Sequence, residues 1–233
     1  MQALSNELTA EFPEITTIVN NINFKRANIA VGEIEKIYYG NGAITDSIGS
    51  HLFHISANSF FQTNTRQAEI LYSIVKEYAD LKPADTVYDL YCGTGTISIF
   101  ISGAVKKIIG IDIAESSIAN ARANATMNGV DNTEFIAGDL KDLLTNRVEW
   151  KSTHPAPDVV IIDPPRSGMH PKAVEELGKM KIPRVVYVSC NPATLARDLA
   201  TLVPFSYSIE KVQPLDMFPH TYHIESVVKL CLV

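Results

Sequence analysis

Cys190 lies in the stretch VSCNPATLARDL, between a run of strand-forming residues and an Asn-Pro pair. Asn191 can cap a helix and Pro192 can begin it, and the spacing of Leu195, Leu199 and Leu202 gives that helix its periodicity. A thiol just outside a helix amino terminus is placed to form a thiolate, the nucleophilic state of cysteine. A buried structural role is the alternative for a lone thiol, and it is the expectation for Cys92 and for Cys231 within VKLCLV.

Acids accompany this thiol in three other stretches. In IIDPPRSG two prolines force the chain out of strand geometry after Asp163, leaving its carboxylate and nearby carbonyls free for a ligand. Arg166 follows where base-amino methyltransferases carry a stacking aromatic; it suits phosphate or base hydrogen bonding, with a plain surface arginine as the alternative. In YDLYCGTGTIS, Asp89 ends a strand and Gly93 and Gly95 form a turn that lets the backbone approach a ligand. Asp112 closes the next strand, where an acid can hold ribose hydroxyls, and Asp139 in AGDL can meet an adenine amino group; both can equally be helix caps. The third glycine of a nicotinamide fingerprint falls at Ser98, which favours S-adenosylmethionine over NAD, with a ligand-free tight turn as the plain alternative. DMFPHTYHIE places Glu225 at the start of the last strand, where a solvated strand-edge carboxylate is the ordinary reading, and His220 and His223 read as structural or surface histidines.

The elements that must position these residues alternate from Arg66 onward. RQAEILYSIVKEYADL is helical, with Ile70, Ile74, Val75 and Tyr78 expected on one face. TVYDLYC, KKIIGIDI, NTEFIAG, DVVIIDPP and RVVYVSC read as strands separated by helices, one stopped by Gly129 and one opened by Pro171. The pattern predicts an α/β fold with a Rossmann-like doubly wound sheet, mostly parallel. YSIEKVQPLDMF and HIESVVKLCLV follow as an antiparallel carboxyl-terminal strand pair. RANIAVGEIEKIYYGNGAITDSIGSHLFHIS is strand-like with Gly and Asn turns, so residues 1–59 are expected to form a small β-rich appendage and residues 60–233 the α/β domain.

With 46% hydrophobic residues in 233, the chain can bury a substantial core. Three cysteines and no CxxC pair argue against a disulfide framework or a zinc site, and a reducing cytoplasm is the expectation. The amino terminus lacks a signal-peptide pattern, and no apolar stretch approaches a membrane span. A formal net charge of -6 argues against an overall electrostatic grip on nucleic acid, so an RNA role needs a local patch or further sequence.

Taken in order, FFQTN, DLYCGTGTIS, IIDPPRSG, VSCNPATLARDL and MFPHTYHIE resemble the RNA 5-methyluridine (uracil-C5) methyltransferases, from about Phe12 to the carboxyl terminus. The resemblance implies Cys190 as nucleophile and Glu225 as general base, with Gln62, Tyr91, Asp112 and Asp163 contacting S-adenosyl-L-methionine; Thr96 stands where the family often has Asn. It also implies attack by Cys190 on carbon 6 of a uracil, methylation at carbon 5 and proton removal by Glu225, with thiol and carboxylate on opposite sides of one base. The expected substrate is a loop or single-stranded uridine in tRNA or rRNA, on which Phe60, Phe61 and Tyr222 can stack if they are not core. Family members usually carry preceding RNA-binding β structure, so the chain is expected to be a catalytic fragment or a short member, with residues to about Ser59 the remnant of a central domain. The competing readings are an amino-group methyltransferase acting on adenine or guanine, which would not need Cys190, and a noncatalytic RNA-binding fragment.

Overall fold

The computed structural model describes residues 1–24, 32–145, 150 and 153–233. Helix α1 (Gln2–Glu11) opens the chain, where the sequence pattern suggested only β structure. Ala3, Leu4, Glu7, Leu8 and Ala10 are good helix formers, and the helix buries only Ser5, so it has little of the apolar periodicity that would reveal it. Strand β1 (Ile18–Ile22) pairs antiparallel with β2 (Ile34–Tyr39), and β3 (Ala43–Ile48) forms a hairpin with β4 (His51–Ser56) through Gly49, whose φ is +58°. Residues 25–31 of the expected β-rich stretch lie outside the described residues.

The remaining elements are α2 (Thr65–Ala79), β5 (Thr86–Leu90), α3 (Thr96–Ile101), β6 (Lys107–Asp112), α4 (Glu115–Met127), β7 (Thr133–Ala137), α5 (Leu140–Thr145), β8 (Val159–Ile162), α6 (Pro171–Met180), β9 (Arg184–Ser189), α7 (Pro192–Leu202), β10 (Tyr207–Leu215) and β11 (Glu225–Leu232). The main sheet runs β10-β11-β9-β8-β5-β6-β7, parallel from β9 to β7, while β11 is antiparallel to both neighbours. This is the α/β arrangement expected, with the strand order reversing beside β5. No described helix is long and apolar enough to cross a membrane.

Strand periodicity divides the core into two layers. Val87, Ile108, Val159, Ile161, Val186, Val188 and Val227 face α2, α3, α4 and the β3–β4 hairpin. Tyr88, Leu90, Ile109, Val160, Ile162, Val185, Tyr187 and Val228 face α5, α6 and α7. Helix α2 buries Ala68, Leu71, Tyr72, Val75, Tyr78 and Ala79, so its inner face is rotated from the expected one and Ile70 is exposed. Two apolar stripes compete on this helix; small Ala68 and Ala79 are fully buried, and Tyr72 packs on Phe100 of α3 with ring centroids 5.6 Å apart.

The hairpin is fastened to α4 by three asparagines spaced four residues apart. Asn128 accepts from Leu52 N at 2.9 Å and donates to Leu52 O at 2.7 Å, Asn124 accepts from His54 N at 2.8 Å, and Asn120 donates to Ser56 and Ser59 hydroxyls at 3.1 and 2.8 Å. These amides occupy the free edge of β4, whose backbone groups would otherwise lack partners. Ile48 and Phe53 meanwhile enter the layer shared with α2, and Phe53 packs 5.8 Å from the Phe61 ring.

Candidate active site

Side-chain parity places the candidate residues. Asp89, Asp163, Cys190 and Glu225 each continue the alternation of Val87, Ile161, Val188 and Val227, so all four emerge on the α2 side at the carboxyl edge of the parallel strands. Because β11 is antiparallel, its first residue rather than its last reaches this edge. Ser226 is paired with Ser189, so Glu225 and Cys190 are the next residues on the two chains, and the Glu225 charge acts on the Cys190 thiol. Crossing the strands in order brings Glu225, Cys190, Asp163, the Gly93–Gly95 turn and Asp112 into one row.

Cys190 is half-buried between β9 and α7. Asn191 caps α7 through Ala193 N at 3.0 Å with Pro192 in the first turn, and Leu195, Leu199 and Leu202 are buried. The thiol itself departs from expectation: its pKa is raised, by burial first and then by Glu225 and Asp163, with Arg166 opposing. Desolvation and two carboxyls thus push the thiol in the direction opposite to that expected from the helix terminus. Glu225 is buried and pushed up to about 7 by desolvation, again opposed by Arg166. Asp163, half-buried beside it, is raised to about 7 by desolvation and by the Glu225 charge.

Arg166 is exposed at the mouth of the cleft, and its carbonyl accepts from Asn191 Nδ2 at 3.1 Å and Thr194 Oγ1 at 3.2 Å. Arg197 and Asp198, in the same motif as Cys190, hold the rest of its loop. Asp198 accepts from Met169 N at 2.9 Å and the Tyr187 hydroxyl at 2.6 Å, while Arg197 donates to the Ser167 and Met169 carbonyls at 3.0 and 3.2 Å. Gly168 turns beneath them at φ +74°, where a Cβ would lie 2.4 Å from Arg197 Nη2. The sequence reading missed this brace, although both residues lie in VSCNPATLARDL.

The glycine turn is shaped for a ligand that approaches closely. Gly93 and Gly95 have φ of +53° and +78°, and Tyr91 adopts +64°, a strained value for a residue with a side chain. A Cβ on Gly95 would meet Phe135 at 2.9 Å, whereas one on Gly93 would have nothing within 4 Å. Asp112 accepts from Gly93 N at 3.0 Å and Ala114 N at 2.9 Å, and each oxygen retains acceptor capacity. Beneath the turn Asp89 accepts from Ser98 N and Oγ at 3.1 and 2.6 Å; its other oxygen, Oδ1, is buried with no partner among the described residues, and burial raises its pKa to about 7. An open glycine wall, an oriented acid at the next strand end and acceptor capacity below fit an adenosyl cofactor that carries hydroxyl and ammonium donors.

The other expected contacts divide. Gln62 is buried in the segment from Phe60 to Asn64, which Thr94 Oγ1 holds at Phe60 O (3.5 Å) and Asn64 Nδ2 holds at Met217 O (3.0 Å). Tyr91 is half-buried against the other layer, beside His170 and Asp198, its phenol pushed up to about 12 mainly by burial. The Thr96 hydroxyl is 2.8 Å from that of Tyr72, in the interior below the turn. Asp139 is exposed and caps α5 through Lys141 N at 2.9 Å. Cys92 is core, while Cys231 is half-buried, less enclosed than expected. Phe60 and Tyr222 are exposed at 72% and 88%, whereas Phe61 packs inward. Asn124, fully buried, was also missed: besides holding the hairpin it donates to Thr94 O at 3.2 Å in the glycine turn.

Residues 7–232 match the family model described as tRNA (Uracil-5-)-methyltransferase. The chain is 46% identical over 228 residues to an RNA methyltransferase of Chlorobaculum tepidum, covering 97% of this chain and 47% of that protein. An RNA methyltransferase of Porphyromonas gingivalis is 46% identical over 231 residues, covering 98% of this chain and 49% of the other. The chain thus spans about half the length of these curated relatives. The crystal structure of Pyrococcus abyssi tRNA (uracil-54, C5)-methyltransferase in complex with S-adenosyl-L-homocysteine superposes with a TM-score of 0.77 at 34% identity, over 95% of this chain and 52% of that one.

Proposed function

Since the chain belongs to the tRNA (uracil-5-)-methyltransferase family, we propose that it methylates carbon 5 of an RNA uridine through a covalent bond between Cys190 and the base. The observation that carries this reading is the adjacency of Cys190 and Glu225 across β9 and β11, in one row with Asp163 and the glycine turn. S-adenosyl-L-methionine, when bound, supplies an electrophilic methyl group to carbon 5. Gly93, Gly95, Asp112, Tyr91, Gln62 and Asp163 would hold it, with Asp139 and Thr96 contributing less because their side chains already serve α5 and Tyr72.

Cys190 gives its proton to solvent and its sulfur adds to carbon 6, breaking the 5,6 double bond and making carbon 5 an enolate carbon. After methylation Glu225, as a carboxylate, removes the proton from carbon 5. The double bond re-forms as the carbon–sulfur bond breaks, which returns the thiolate and releases 5-methyluridine. A carboxyl with a pKa of about 7 suits this role, since it is substantially ionised near neutrality yet basic enough to accept a proton. Arg166 would bind phosphate or a uracil oxygen at the mouth of the cleft. The base must leave its stack to enter, which favours a loop or single-stranded uridine in tRNA or rRNA. Residues 1–59 are read as part of a β-rich RNA-facing region, and the target uridine as chosen largely by surface outside this cleft.

The test is a denaturing gel of protein incubated with S-adenosylmethionine and 5-fluorouridine-substituted RNA. Fluorine at carbon 5 cannot leave as a proton, so the adduct is trapped. A shifted band in wild type and none in Cys190→Ala is the expected result. Methyl transfer that survives Cys190→Ala would select amino-group methylation of adenine or guanine instead.

A further inference from the structure

His223 takes no part in these steps, yet among the described residues it is the side chain in contact with the Arg166 guanidinium. Arg166 Nη2 lies 3.1 Å from His223 Nδ1 and 3.0 Å from Nε2. A single Nη2 at this distance from both ring nitrogens lies over the face of the ring, because the two in-plane lone pairs diverge and cannot be met from one point, so the guanidinium is seated on the imidazole. Tyr222 packs against the same ring at 4.2 Å, and the chain after His223 runs directly into Glu225. The backbone of Arg166 is already clamped by Asn191 and Thr194, so the His223 contact fixes what the backbone leaves free, the direction of a long side chain.

We infer that His223 is a positioning residue, which holds the Arg166 guanidinium at the Cys190–Glu225 pair and joins the Pro-Pro loop to the start of β11. The inference rests on the Cys190–Glu225 reading above. Its physical consequence is electrostatic: Arg166 is the cation that offsets burial at both groups, lowering the thiol and carboxyl pKa that the other surroundings raise. A guanidinium released into water is screened and offsets less. The groups facing this charge are Cys190 and Glu225, with His223 in contact with it and Asp163 coupled through Glu225, so its displacement makes the thiol harder to ionise.

The experiment reads this directly, without RNA or cofactor. Alkylation of Cys190 by iodoacetamide is followed by peptide mass spectrometry, which separates it from Cys92 and Cys231, from about pH 6 to about pH 10. Wild type is compared with His223→Phe, His223→Leu, His223→Gln, Arg166→Gln and the His223→Leu/Arg166→Gln double variant. The expected result is a profile displaced to higher pH in His223→Leu, His223→Gln and Arg166→Gln, with the rate near neutrality down about 3- to 10-fold. His223→Phe, which keeps a ring face for the guanidinium, stays within about twofold of wild type, and the double variant matches Arg166→Gln alone. Wild-type profiles in both His223→Leu and His223→Gln, or effects that multiply in the double variant, would overturn the assignment. Should the fluorouridine adduct fail to form while these profiles shift as described, the uracil reading fails and the positioning role stands.

Discussion

Replacing Glu225 by Gln should stabilise the protein, and should do so more as pH rises. The carboxyl is buried at a strand start beside Asp163, and its pKa moves from an ordinary 4.5 to about 7. A raised carboxyl pKa means that the folded state binds the proton more tightly than the unfolded chain. Its stabilising contribution is therefore complete below the unfolded value and is lost as pH climbs through the folded one. Between about pH 5 and about pH 8 this loss amounts to about 2.5 kcal/mol, and Gln, which does not titrate, escapes it. Removing the Glu225 charge also relieves Asp163, so that term has the same sign. For a chain of this size the melting-temperature difference between variant and wild type should widen by about 5–10 °C from the lower pH to the higher. Thermal unfolding of both proteins in matched buffers measures it. A constant difference, or one that narrows toward high pH, would refute the claim that burial strains this carboxyl.

The two turn glycines should separate stability from cofactor binding. Gly95→Ala adds a methyl 2.9 Å from Phe135 on top of an unfavourable φ and should cost about 2 kcal/mol or more in denaturant unfolding. Gly93→Ala carries only the backbone penalty of about 1 kcal/mol, and its effect should appear as roughly tenfold weaker S-adenosylmethionine binding in calorimetry. Asn124→Ala leaves His54 N and Thr94 O without their partner and should lose about 1–3 kcal/mol by the same unfolding assay, with weaker cofactor binding alongside. Single-turnover methyl transfer should rise with pH through about 7, because Glu225 must be ionised and the Cys190 thiol must lose its proton; a rate that falls over this interval would exclude Glu225 as base.

The parts of the fold that could be read from sequence are those punctuated by backbone chemistry. Asn191-Pro192, Asp163-Pro164-Pro165 and the Gly93–Gly95 turn mark strand ends unambiguously, and strand ends are where this architecture keeps its chemistry. Features set by packing were less legible. The inner face of α2 follows Tyr72 and two alanines rather than Ile70, and α1 buries too little to show a pattern. The Cys190 thiol was misjudged because the helix terminus is visible in sequence while Glu225 and Asp163, 35 and 27 positions away, are brought to it only by the sheet. His223 and Asn124 look ordinary in a linear reading, since their meaning lies in partners on other elements.

The asparagine spacing on α4 works as a vernier. Four helical residues advance about 6.0 Å, and two residues of an extended strand advance about 6.7 Å, so successive rungs drift apart by about 0.7 Å. Over the two steps from Asn128 to Asn120 the drift is about 1.4 Å, small enough for amide torsions to absorb, and the last rung indeed reaches serine hydroxyls rather than backbone. The hairpin also has no nearby alternative seat, because the next matching alignment is a full helical turn away. The helix therefore gauges where the chain leaves β4, and so sets the position at which Phe60–Asn64 meets the glycine turn at Thr94.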